Sequence, residues 1–375
     1  MSTGHLVYVR DGALFAVPFD VDSLEPVGGP VALVEGVEDG GGPAQYAISD
    51  TGTLVYVDRG SVDDSRILAL ANRNGDINVL GAPPAAYLSP RLSPDGNKLV
   101  VQTFDEGVGV VWIYDFSDDR AIQQFSFEGD NRRPIWTPDG ERVTFASDRD
   151  GTMSLYGKRA DGRGVAERLT TADEGTSHWP SSWSPDGQVL AYMVQTGGQQ
   201  QGDWDVWTLS IDGNTAESLY DVPDTVHMGP VFSPDGRWMA YGFGDAPGLQ
   251  DVYVEPFPPT GARRRISQNG GLWPMWSRAG TELFYRPTVT SGSVVLRAVD
   301  IATEPDFAFS NERTLPLDRF IVVGFYRDYD ITPDDEKMLM MFPEGVTDSS
   351  GPPPQRIHVV LNWFEELKER VPTNR

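Results

Sequence analysis

Histidines, cysteines, acidic pairs and glycine-rich loops are where chemistry would have to start in this chain, and each class is thin. There is no cysteine among the 375 residues, which removes disulfides, thiolate nucleophiles, cysteine-bound zinc and iron–sulfur clusters together. The four histidines, His5, His178, His227 and His358, lack the His-x-x-x-His spacing of a helical zinc site. Asp118 with Asp119, or Asp203 with Asp205, could offer oxygens to calcium. No loop of alternating acids closing on a glutamate surrounds either pair. The expectation is no metal and no cofactor.

Catalytic motifs fail in the same way. Gly107-Val108-Gly109-Val110-Val111, Asp148-Arg149-Asp150 and Asp115-Phe116-Ser117 are the nearest approaches to a kinase's phosphate loop, catalytic loop and metal-binding triplet. No histidine precedes Arg149 in the second of them, and all three fall inside repeated strand-and-loop units. The stretch from Gly151 to Lys158 has one residue too many for a phosphate-binding loop and is followed by Arg159 instead of Ser or Thr. A Gly-x-Ser-x-Gly nucleophile elbow is missing. The expected class is therefore non-enzymatic. The enzymatic alternative is a lyase or hydrolase with His178 or His227 as a base near neutral pH.

Charge narrows the partners. Lys and Arg number 30 against 55 Asp and Glu, a formal net charge of −25, which opposes nucleic acid because phosphate binding needs a basic surface. Hydrophobic residues at 39% and aromatics at 11% are too many for a disordered chain. The beginning, Met1-Ser2-Thr3-Gly4-His5, is not a basic stretch followed by an apolar run, and nothing approaches the ~18 apolar residues of a membrane helix. A soluble chain without an export signal is expected.

The elements that must position any site are announced by a recurring turn. It reads Ser93-Pro94-Asp95-Gly96, Thr137-Pro138-Asp139-Gly140, Ser184-Pro185-Asp186-Gly187 and Ser233-Pro234-Asp235-Gly236, with weaker copies at Ser49, Ser277 and Thr332. Successive starts are 44, 44, 47, 49, 44 and 55 residues apart, a propeller-blade period. Proline presets φ at the second turn position and glycine supplies freedom at the fourth. The aspartates could be read as a ring of ligands. Recurrence at one position favours local hydrogen bonding instead, so Asp95, Gly96, Asp139, Gly140, Asp186, Gly187, Asp235 and Gly236 are assigned to the fold. Around each turn lie four short β-rich segments, such as Lys98 to Val101, Val111 to Tyr114 and Glu167 to Thr170. The fold class is all-β: a β-propeller of four-stranded antiparallel blades with a short C-terminal helix.

An apolar residue followed by Ser-Pro-Asp-Gly resembles the WD-like repeats of the TolB family, over nearly the whole chain. Gly4 to Gly12, Phe15 to Asp20 and Val359 to Lys368 are also similar to the C-terminal sensor half of bacterial membrane serine/threonine kinases. That second resemblance implies a sensor or scaffold portion of a receptor, extracytoplasmic in such a setting, here without kinase or membrane span. A free-standing TolB-like interaction protein is the alternative.

Six blades are favoured, from Ser93 to Thr332, with Arg66 to Leu70 and Ile77 to Leu80 completing the last. Seven or eight is the competing count. Residues 1–60 are then the tail of a neighbouring propeller or an extra blade, 61–365 the propeller, and 366–375 the C-terminal helix and tail. Pro352-Pro353-Pro354 is expected to be a stiff spacer. Asn362 is expected to cap a helix that ends at Arg370, pairs Glu366 with Arg370 and packs on the last blade.

The segments entering the innermost strands vary from blade to blade and mix cations, imidazoles and aromatics. They hold Arg132, Arg133, His178, Trp179, His227, Trp273, Tyr326, Arg327 and Asp328. Guanidinium forks and aromatic faces converging on a channel mouth suit a protein, peptide or small anionic ligand.

Overall fold

The computed structural model describes residues 4–10, 13–35, 37, 45–57, 65–116, 122–197, 203–220, 225–245, 249–288, 294–304, 306–317, 320–323, 326–344, 346 and 357–372. The chain divides into two compact units, residues 1–64 with 350–375, and residues 65–349. The proline spacer and the Asp118–Asp119 pair lie outside the described residues.

In the second unit the strands pair in sets of four, antiparallel within each set, and a single parallel bridge of Trp204 with Val226 joins the third set to the fourth. The first set runs Leu88–Leu92, Lys98–Asp105, Val108–Asp115 and Ile122–Gln124. The second is Asn131–Trp136, Arg142–Ser147, Ser154–Arg159 and Glu167–Arg168, and the third Thr176–Trp183, Val189–Thr196, Trp204–Ser210 and Thr215–Ser218. The fourth is Val226–Phe232, Trp238–Gly244, Asp251–Pro256 and Arg264–Arg265, and the fifth Leu272–Trp276, Glu282–Arg286, Arg297–Ala302 and Ala308–Thr314. The sixth joins the unit's two ends: Tyr329–Ile331 and Lys337–Pro343 are followed in the sheet by Arg66–Asn72 and Ile77–Val79. Second strands are covered on both faces, as sheets stacked face to face require. Leu99, Val100, Val101 and Gln102 are consecutive and buried, as are Met338 to Phe342. Apart from Gln102, these runs read as continuous apolar segments, not alternating ones.

Each turn is closed by its own residues. The Ser93 hydroxyl donates to Asp95 Oδ1 at 2.5 Å and accepts from Lys98 N at 2.9 Å, while Gly96 N donates to Ser93 O at 2.8 Å. The same contacts recur at Thr137, Ser184 and Ser233. Hydrogen bonding from the Ser or Thr hydroxyl holds Asp95, Asp139 and Asp186 below the usual carboxylate range. Asp235 is lowered as well, although burial works against it.

The first unit is built differently from expectation. His5–Arg10, Ala13–Asp20 and Val31–Glu35 form one sheet, with Glu25–Pro26 beside the second strand. Tyr46–Ile48, Leu54–Val57 and Ile357–Val360 form another. The helix Trp363–Arg370 does not cover the last blade: Trp363 and Leu367 pack with Leu14, Ala16, Leu33 and Leu54. Because Ile357–Val360 pairs with Leu54–Val57, the chain delivers the helix onto this core. Residues 357–365 accordingly fold with the N-terminal segment, a boundary the repeat pattern did not give. Asn362 also makes no side-chain cap; it sits at φ 57°, in the left-handed region. The Glu366–Arg370 pair forms at 3.0 Å. Among the described residues, no helix is long and apolar enough to cross a membrane.

Candidate functional site: the channel of the second unit

The innermost strands carry a shared irregularity that decides which side chains meet. Five of the six contain a proline, at Pro90, Pro134, Pro180, Pro230 and Pro274. Proline cannot donate to a ladder and belongs at edges and bulges. In each of these strands the pairing register shifts at that point. Ser89, Arg133, Gly229 and Trp273 take positive φ of 48°, 52°, 60° and 57°. A bulge re-aims a side chain, and here it turns residues into the channel.

Four of the residues singled out by sequence are brought together. The Arg133 guanidinium lies 4.7 Å from the Trp179 ring, 4.8 Å from Tyr326 and 5.9 Å from Trp273. Trp204, at 5.5 Å, completes the cage. Burial pulls Arg133 down to about 10, so it stays charged at neutral pH and is held by the aromatic faces. Around it the channel narrows to about 20 Å³, lined also by Ser89, Met193 and Arg327.

Arg327 also faces this space, whereas the remaining residues point elsewhere. Arg132 turns back to pair with Asp130 at 2.5 Å. His178 Nδ1 lies 2.9 Å from Thr170 Oγ1, with its ring against Tyr192. His227 is fully buried against Tyr220 and Phe243, both at 4.8 Å, and among the described residues neither ring nitrogen has a hydrogen-bond partner. Burial drives both histidines down to about 4. Neither histidine lines the channel, so the catalytic base imagined there is not in place. Asp328 is buried, pushed up by desolvation, and accepts from Ser89 N at 3.1 Å and Val323 N at 2.6 Å.

The roomier end was not anticipated. On the side of the turns the channel opens into a cavity of about 310 Å³. Its walls include Trp136, Trp183 and Trp276, the turn prolines, and Ser181 and Ser182. Its charged groups are Arg91, Arg278, Arg327 and Asp330. Arg91 Nη1 donates to Pro90 O at 2.7 Å and Arg327 O at 2.8 Å. Burial, then the like charge of Arg327, pulls Arg91 down to about 9. Asp330 Oδ2 accepts from Leu92 N at 2.9 Å and lies 3.9 Å from Arg278 Nη2. Cross-strand bonds fix the rim, for Trp136 Nε1 donates to Arg91 O and Trp276 Nε1 to Val231 O. Arg91 and Asp330 stand next to turn residues that sequence reading gave to structure alone. Their one signal was a charged residue at the strand position that holds Ile135, Val231 and Met275 in other repeats.

Comparison with known proteins agrees with this architecture. Residues 47–201 match the domain model described as the TolB beta propeller domain. A solved structure described as a putative TolB from Agrobacterium tumefaciens superposes with a TM-score of 0.60 at 18% identity, covering 75% of this chain and 99% of that one. Residues 47–201 are thus similar to TolB propeller domains, and the superposition shows a propeller fold. The Tol-Pal system protein TolB of Anaeromyxobacter dehalogenans is 31% identical over 97 residues, 26% of this chain and 22% of that protein. A Bacillus subtilis protein named as the uncharacterized peptidase YuxL is 27% identical over 210 residues, 44% of this chain and 31% of its own length. The chain thus spans under a third of each of these two relatives. The relationship to a protein named as a peptidase overturns the expectation that this chain stands outside enzymes; missing motifs within one propeller say nothing of the proteins that carry such propellers.

Proposed function

We propose that the six sheets of the second unit are the blades of one closed propeller, and that it binds a protein or peptide at the turn-side channel mouth. The observation that carries this reading is the contrast between the two ends. Arg133 and its aromatic cage fill the narrow part, whereas the turn side offers an open cavity walled by tryptophans and rigid prolines. Concave, largely apolar sites with a few convergent polar groups suit ligands of this kind. Such a surface serves equally in a scaffold and in a larger enzyme.

We further propose that this is the sensing or scaffold portion of a receptor-kinase-like protein. In support, the segments from Gly4 and Phe15 lie over 300 residues from the one at Val359, yet the three that resemble such receptors share one core in the first unit.

Display selection of random peptides on the immobilised chain tests the binding role. Selected peptides should lose at least tenfold in affinity for Trp183→Ala and Trp276→Ala, whose side chains wall the cavity. Binding indifferent to both substitutions would remove the mouth as the site.

A further inference from the structure

The cavity at the turn-side mouth is positively charged inside a strongly acidic chain. Its lining holds three arginines and one aspartate, against 30 basic and 55 acidic residues overall. An excess of cations at one concave place in such a chain focuses an attractive field on anions.

The arginines also have donors to spare. Each guanidinium carries five N–H groups in a planar fork. Arg91 uses Nη1 on two backbone carbonyls, and its Nε is buried with no partner among the described residues. Among the described residues the Arg327 side chain is given no hydrogen bond, and its Nε is likewise buried without a partner. Buried polar nitrogens are nearly always satisfied, so two orphans on adjacent cations call for an acceptor from outside. Asp330 does not fill that role: its Oδ2 is held by Leu92 N and faces Arg278. The like charges of Arg91 and Arg327 oppose each other, a repulsion that a bound anion would relieve.

Resting on the peptide-binding reading above, we infer that the Arg91–Arg327 pair receives a peptide carboxylate, either the free C-terminus or an acidic side chain, inserted from the turn side. A carboxylate takes two N–H bonds from one fork. Three cations against Asp330 leave a net charge of +2 at the mouth, an excess that draws an anion. Trp183, Trp276 and the Ser181–Ser182 hydroxyls offer the walls on which the preceding residues of the peptide would lie.

The test is titration calorimetry of the full chain with acetyl-Ala-Ala-Trp-Ala as free acid, the same peptide as its amide, acetyl-Ala-Glu-Trp-Ala amide, and inorganic phosphate. The expected result is that the free acid, the glutamate peptide or both bind at least tenfold more tightly than the neutral amide; which of them does so separates the two carboxylate sources. That preference should vanish in Arg327→Gln and fall at least tenfold in Arg327→Lys, which keeps the charge and loses the fork. Thermal melts of each variant check folding, and Arg91→Gln repeats the test from the neighbouring strand. Equal binding of acid and amide, lost in Trp183→Ala, would overturn the carboxylate inference and leave peptide binding standing. Tighter binding of phosphate than of every peptide would overturn it in favour of a phosphorylated ligand. No binding by any probe would overturn both readings.

Discussion

A Cβ built on Gly96 would stand 2.9 Å from Cδ of Pro333, so the first strong turn of the second unit nests against its last. Each intermediate turn nests on its predecessor in the same way. Gly140 faces Pro94, Gly187 faces Pro138, Gly236 faces Pro185 and Gly280 faces Pro234. The turns thus run round a closed circuit, and the glycines serve two purposes there: positive φ and room for a neighbour's ring.

Gly96→Ala should destabilise the second unit by about 1–3 kcal/mol, because it combines a left-handed φ with contact against a rigid ring. Gly151, at φ 107° with nothing within 4 Å of a built Cβ, is the comparison. Its alanine variant should cost less in urea unfolding, since only the backbone conformation is penalised.

Where the circuit lacks a proline, at Arg278, a carboxylate replaces it. Asp335 accepts from Arg278 N at 2.6 Å and Ala279 N at 2.9 Å. Asp335→Ala should lower stability by about 1 kcal/mol, the scale of exposed hydrogen bonds to a charged acceptor.

The two buried histidines should make stability depend on pH. Their folded pKa values near 4 lie below the model-peptide value of 6.5, so between those limits the unfolded chain binds more protons. Stability is fully present above about pH 6.5 and falls as the pH drops toward 4, by up to about 3 kcal/mol for each histidine. Urea unfolding at pH 7.5, 6.0 and 4.5 measures this. His227→Phe, which removes an unpartnered imidazole from an aromatic stack, should raise the melting temperature and flatten the slope.

The turn aspartates act lower on the scale. Their folded values are depressed, so their contribution is present above the unfolded carboxylate range near pH 4 and is lost as pH falls through the folded values. Asp95→Asn should leave a shallower acid limb in the same unfolding series.

The repeat was legible because its chemistry is local: Ser, Pro, Asp and Gly complete their hydrogen bonds within one turn. Closure of the sixth sheet was legible too, for Arg66 to Leu70 is a strand without a turn of its own. The site was only half legible. Alternation along a strand should put His178 and His227 on a predictable face, but the bulges at the inner-strand prolines break that period. They send Arg133 and Trp273 into the channel and leave Arg132 and the histidines between sheets. The helix placement was missed for another reason, since which sheet Ile357–Val360 joins depends on pairing with residues about 300 positions away.

A crystal structure of the chain soaked with acetyl-Ala-Ala-Trp-Ala tests the central claim most directly. The account predicts the peptide at the turn-side mouth, its carboxylate within hydrogen-bond distance of Arg91 and Arg327. A peptide lodged elsewhere on the second unit, such as along the outer strands, with the mouth empty, would contradict it.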